Sequence, residues 1–345
     1  MEGVTEFLDA LASRLVPACD PAVVRTVFAT ASSGYAGFRV RDGRRASVIT
    51  PSGVPFEASV TGGNGRPAAA LRYVTEVASG VPFFRPRLTA QRAALDQLTG
   101  WLPGDGTSKI AEAELPCFVD TLFPDPAAVP ARNRFATWFG IVHRDDVPAR
   151  LAGLKVYGIM IDGHAALDRL AARWRGFSEL SRLVAEAPSL RPYMADLEVH
   201  ATGDIRCKVY LLSMAGRGPL DALAGGVGAE AAAVDAELGR LGVTVTSWSR
   251  VLVCCEPDSG SGARLSVHVP AKSLALGSSD IAALTRALAA SHHGDTTEVD
   301  ALDHAAAQAA GPPWAYTFVG LGLEPGGGVG KLNLYLAPVP ATASG

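Results

Sequence analysis

The stretch DIRCKVYLLS, from Asp204 to Ser213, reads as a strand and decides how the rest of the chain is read. Successive side chains of a strand point to opposite faces, so Arg206, Lys208 and Tyr210 share one face. A solvated edge accounts for two cations. It accounts less well for a phenol in line with them.

The same habit recurs on both sides of this stretch. Arg72 stands in ALRYVTE, Lys155 and Tyr157 in LKVYG, Ser266 and His268 in RLSVHVP, and Lys331, Asn333 and Tyr335 in KLNLY. Each lies in the second of two strand-like runs, and each pair of runs follows two amphipathic stretches. Apolar spacing of three and four predicts helices at 4–15, 21–32, 88–102, 107–122, 163–174, 176–188, 218–226, 228–241, 279–290 and 297–309. The strand pairs are 53–60 with 68–77, 134–143 with 153–161, 193–201 with 205–213, 243–255 with 263–271, and 313–322 with 331–338. GGNGRP, after the first strand, is a turn signal. Lys155 to Lys208 spans 53 residues and Lys208 to Ser266 spans 58. A period of this kind implies a closed or stacked architecture. Ten antiparallel strands lose their edges by closing into a barrel, with the helices as a ring outside. The expected fold class is therefore α+β, a single domain over 1–345, and a ten-stranded barrel is wide enough to hold a ligand.

Cations converging inside such a barrel repel one another and lose hydration unless an anion joins them. A diphosphate fits. Tyrosines beside it can donate hydrogen bonds to leaving oxygens, and their faces stabilise a cation. That combination suits heterolysis of an allylic diphosphate.

At these residues the chain resembles the aromatic prenyltransferases of the ABBA barrel fold, of the dimethylallyltryptophan synthase or indole prenyltransferase type. TPSGVPFEASV followed by RPAAALRYVTE is similar to that family's first hairpin. LKVYG and RCKVY resemble its next motifs, and WAYTFVG with KLNLYLAP its closing hairpin. The resemblance implies that Arg72, Lys155, Arg206 and Lys208 bind the diphosphate, with Lys331 beside them. It implies that Tyr157, Tyr210 and Tyr316 shield the allylic cation, joined by Tyr335 and His268. Glu57 would accept the indole N–H. His143, in FGIVHRDD, would take the proton from the ring after attack, as a histidine near neutrality suits general base work. The chain departs from the family at Ser266 and His268, where a glutamine and a tyrosine are common. It is shorter than the fungal members, and its composition is similar to that of bacterial ones.

Other signals lead elsewhere. PGGGVGKL, from Pro325 to Leu332, lacks the first glycine and the Ser/Thr of a phosphate loop and runs into a strand. The aspartates of RDD at 144–146 stand alone. His292 and His293 with Asp295 read as a helix-to-loop junction. Net charge is −3 and the pI about 6.2, so no global basic field exists for nucleic acid or an anionic membrane. Five cysteines, Cys19, Cys117, Cys207, Cys254 and Cys255, form no CxxC or zinc spacing. No apolar run reaches the ~20 residues of a membrane span, and MEGVTEFLDALASRLV reads as a helix rather than a signal peptide. The expectation is a cytoplasmic, monomeric or homodimeric enzyme. It needs no cofactor and no essential Mg, and its co-substrate is a prenyl diphosphate. Its partners are an allylic diphosphate and a small aromatic acceptor bearing an indole. Dimethylallyl is the expected group, with geranyl the alternative. The rival readings are a phenol or naphthoquinone prenyltransferase of the same fold and a non-catalytic carrier of a phosphorylated ligand.

Overall fold

The computed structural model of the chain describes residues 2–35, 46–50, 52–63, 69–133, 136–214, 216–257 and 263–339. Five times, two helices precede two strands. The helices are α1 (Glu2–Leu15), α2 (Pro21–Ala31), α3 (Phe84–Thr99), α4 (Gly104–Leu122), α5 (His164–Ala171), α6 (Arg175–Ala185), α7 (Gly218–Gly226), α8 (Ala232–Arg240), α9 (Ser278–His293) and α10 (Thr297–Gln308). The strands are β1 (Phe56–Gly63), β2 (Leu71–Thr75), β3 (Thr137–His143), β4 (Gly153–Ile159), β5 (Leu190–His200), β6 (Ile205–Ser213), β7 (Leu252–Pro257), β8 (Ala263–Pro270), β9 (Trp314–Leu323) and β10 (Val329–Pro338). Every strand pairs antiparallel with its sequence neighbours, and β1 pairs with β10, so the sheet closes. Closure leaves no open edge for another chain to extend. None of the described helices is long and apolar enough to cross a membrane.

Alternation along the strands produces two unlike surfaces. Cys207, Val209 and Leu211 of β6 point outward into the main apolar core, as do Leu154 and Val156 of β4 and Leu197 and Val199 of β5. The helices cover that surface with their own apolar stripes, for example Phe177, Leu180 and Val184 of α6. α2 starts where the Asp20 side chain accepts from the Ala22 N–H and Pro21 occupies the first turn, which needs no amide donor there. The inward residues of the same strands line the lumen.

The lead-in to β7 differs from the expected strand over 243–255. The strand begins at Leu252. Val243 and Val245 are buried, but Thr246 gives its N–H and hydroxyl to Ser273 O in the 3₁₀ turn Ala271–Leu274. Local alternation had no neighbouring strand to pair with there. The GGNGRP turn falls largely within 64–68, outside the described residues.

Candidate active site

Each odd strand runs from the helix-connected end of the barrel toward a hairpin, and each even strand runs back. Arg72, Lys155, Lys208 and Lys331 all lie within the first four residues of their even strands. They therefore ring the hairpin half of the lumen. Tyr157, Tyr210 and Tyr335 lie two to four residues further along the same strands. At roughly 3.3 Å per residue, the aromatic rings sit one or two steps deeper than the cations. Glu57 is the second residue of β1, so it belongs to the opposite, helix-connected end.

The cations have internal partners. Lys155 Nζ stands 3.3 Å from Glu198 Oε2 and 3.9 Å from Asp196 Oδ2. Lys208 Nζ is 3.5 Å from Glu256 Oε2, which Arg264 also approaches at 3.8 Å through Oε1. Burial alone would lower Lys155, but Asp196, Glu198 and Glu256 outweigh it and raise its pKa. Lys208 is raised as well, with Glu256 and Asp196 overcoming burial and the repulsion of Lys155. Lys331 has weaker support, from Glu256. Burial and the charge of Lys208 bring it down to about 8.

The aromatic rings form an arc across the even strands. Tyr157 and Tyr210 have centroids 6.0 Å apart, Tyr210 and His268 6.3 Å, and His268 and Tyr335 5.5 Å. The Tyr210 hydroxyl donates to Asp196 Oδ2 at 2.9 Å. Lys155 Nζ lies 5.3 Å from the Tyr157 ring centroid. Gly140 on β3 makes room for this corner of the arc: a Cβ there would meet Tyr157 Cε2 at 3.0 Å and Lys155 Cβ at 3.1 Å. His268 is neutral, held down to about 3 by burial and by Lys331 and Lys208.

At the helix-connected end, Glu57 is almost enclosed and accepts a short bond from the Thr317 hydroxyl. Burial pushes its pKa up to about 8, with Thr317 opposing. A second apolar cluster, including Trp138, Ile159 and Tyr210 with Val48 and Ile49 against it, sits in the lumen. This surface suits a flat apolar ring with one N–H to donate.

Three expected site residues stand apart. His143 points outward, in phase with Phe139 and Ile141, and its ring stacks on Tyr73 at 6.0 Å. It is fully buried, neither ring nitrogen has a partner, and burial lowers its pKa to about 4. The residue is one position out of phase with the lumen. Tyr316 also faces outward, giving its hydroxyl to Asp303 of α10 at 2.8 Å. A register shift between Tyr335 and Leu336 places Tyr335 opposite Phe318 and Leu336 opposite Tyr316, which leaves Thr317 as the extra residue. Such a bulge inverts the facing of everything beyond it. Arg206 keeps the lumen phase but is exposed at the rim, beside a cleft of about 380 Å³ that Arg175, Glu256 and Arg264 also line. The outer pair His292 and His293 meets Glu237 at 2.9 Å and Glu298 at 3.7 Å.

The sequence reading missed the lumen carboxylates Asp196, Glu198 and Glu256. The signal was present: in YMADLEVHA the acids alternate with apolar residues in the phase that faces Lys208 and Arg206 across the ladder.

No protein-family model matches the chain, and no curated protein matches it by sequence. Solved structures do match. 6-Dimethylallyltryptophan synthase from Micromonospora olivasterospora, in complex with DMASPP and Trp, superimposes with a TM-score of 0.69 at 19% identity, covering 98% of each chain. The chain has the fold of the tryptophan prenyltransferases. 5-Dimethylallyltryptophan synthase from Streptomyces coelicolor gives 0.65 at 16% identity, over 97% of this chain and 96% of that one. The prenyltransferase PriB, in ternary complex with L-tryptophan and dimethylallyl thiolodiphosphate, gives 0.63 at 17% identity, over 99% and 98%. In the lumen of the present chain a lysine precedes a tyrosine on β4, β6 and β10, and on β8 His268 follows Ser266.

Proposed function

We propose that this chain, acting as one domain, transfers a dimethylallyl group from its diphosphate to a ring atom of an indole acceptor such as tryptophan. The observation that carries this reading is the ordering along the lumen: cations at the hairpin end, an aromatic arc below them, and Glu57 at the far end. The structural neighbours crystallised with tryptophan and dimethylallyl thiolodiphosphate support the choice of substrates.

Arg72, Lys155, Lys208 and Lys331 would hold the diphosphate, with Arg206 meeting it at the rim. The allylic C–O bond breaks and its electron pair leaves with the diphosphate. The cation forms against Tyr157, Tyr210, His268 and Tyr335, whose faces stabilise it and whose bulk excludes water. The ionised carboxylate of Glu57 would accept the acceptor's N–H and enrich the ring. The ring's π pair forms the new bond, and the proton at the attacked atom passes to the diphosphate released in the first step, restoring aromaticity. The lysines and arginines would provide the charge stabilisation that a metal gives elsewhere, so no Mg is required. The cysteines are all free thiols, in keeping with a cytoplasmic protein.

The test is incubation with dimethylallyl diphosphate, tryptophan and excess EDTA, read by mass spectrometry, with a panel of indoles and phenols and with the ten-carbon donor alongside. A product heavier by one dimethylallyl group on an indole supports the reading. Product on phenols alone, product that requires added Mg, or diphosphate binding without any product overturns it.

A further inference from the structure

Among the described residues, Asp196 is the one lumen carboxylate in contact with both the cationic and the aromatic layers. It lies on β5 opposite Tyr157 of β4 and opposite Lys208 of β6. Its Oδ2 accepts the Tyr210 hydroxyl at 2.9 Å and stands 3.9 Å from Lys155 Nζ. Its Oδ1 is buried with no partner, and the side chain is fully enclosed. A buried carboxylate oxygen without a partner is costly, and a site of this kind retains one where it does something. Each lysine already has a carboxylate of its own, Glu198 for Lys155 and Glu256 for Lys208. Asp196 is therefore surplus to local pairing, yet it lies where a diphosphate held by both lysines would come closest.

We propose that Asp196 is an internal counter-ion that competes with the diphosphate for Lys155 and Lys208 and so drives release of the inorganic product. The inference rests on the function proposed above. A fixed negative charge repels a bound anion in proportion to that anion's charge. Free diphosphate carries one more ionisable oxygen than its allylic ester, so the same carboxylate weakens the product more than the donor. Without Asp196 the half-buried lumen cations, opposed by Glu198 and Glu256 alone, would hold the product more tightly. The bond from Tyr210 holds the carboxylate in place while the donor is bound.

The experiment compares the wild-type protein with Asp196→Asn by titrating inorganic pyrophosphate and dimethylallyl thiolodiphosphate in a calorimeter, and by following turnover with tryptophan. The variant should bind pyrophosphate about tenfold more tightly and the thiolodiphosphate with a smaller gain. Its steady-state kcat should fall while the first turnover keeps its amplitude, giving a burst. Asp196→Ser should behave alike and stands in if the amide variant melts below the assay temperature. Unchanged or weaker pyrophosphate affinity in the variants overturns the counter-ion role while leaving the enzyme's function intact. A fall in kcat without a burst does the same. Binding of pyrophosphate by neither protein overturns the diphosphate site itself and this inference with it.

Discussion

At the hairpin end of the lumen Lys155 and Lys208 stand within 3.5 Å of Glu198 and Glu256, and at the helix-connected end Glu57 has the Thr317 hydroxyl as its polar partner. Both ends are enclosed, yet burial acts on them in opposite ways. Opposite charges keep the two lysines ionised far above neutrality. Among the described residues nothing of opposite sign supports Glu57, and burial raises it to about 8. The contrast teaches that partners fix the charge of Lys155 and Lys208, whereas pH sets that of Glu57 and, at the hairpin end, of Lys331. A donor site must be cationic before any ligand arrives. An N–H acceptor can remain protonated until the medium takes the proton.

The largest break in the comparison is expected from Glu57→Gln. It should lower turnover on indoles by about 10²–10³-fold while leaving the affinity for dimethylallyl thiolodiphosphate unchanged, as measured by steady-state kinetics and calorimetry. Unchanged turnover would remove Glu57 from the site. Next, Lys155→Ala or Lys208→Ala should weaken thiolodiphosphate binding by about 10²-fold and leave acceptor binding alone, because each deletes one charge-assisted contact and strands a carboxylate.

The pH profile sharpens the same contrast. Only ionised Glu57 accepts an N–H, so kcat/KM should rise about tenfold per pH unit below about 8, and it should fall again above that pH as Lys331, also at about 8, loses its charge. The stability contribution runs the other way. Glu57 holds its proton more tightly folded than unfolded, so this contribution is fully present below about 4.5 and is lost as pH rises to about 8. Melting temperatures of wild type and Glu57→Gln should converge at low pH and separate above it, with the variant flatter.

The smallest effects belong outside the lumen. His143→Phe and Tyr316→Phe should change kcat by less than about twofold. Tyr316→Phe should cost about 1 kcal/mol of stability through loss of its bond to Asp303, read in a urea melt. A large fall in kcat for His143→Phe would restore it as the base.

The hydrophobic periodicity of the sequence, with a lysine and a tyrosine two residues apart on β4 and β6 and four apart on β10, was enough to determine five ααββ rounds and their closure. It also determined which even-strand positions share a face, because strand alternation is a local property. Arg72, Lys155, Lys208 and the Tyr157–Tyr210–Tyr335 series were legible for that reason, whereas Glu57 was named through the resemblance of the first hairpin. Tertiary structure alone decided what local phase cannot express. His143 sits one residue out of phase with the lumen, and the extra residue at Thr317 turns Tyr316 to the helices. β6 runs on past its last partner in β7, which leaves Arg206 at the rim. The pairing of Lys155 and Lys208 with Glu198, Asp196 and Glu256 depends on register between strands more than forty residues apart. Facing is written in the chain residue by residue, whereas register and the choice of electrostatic partner come into being only when the sheet closes.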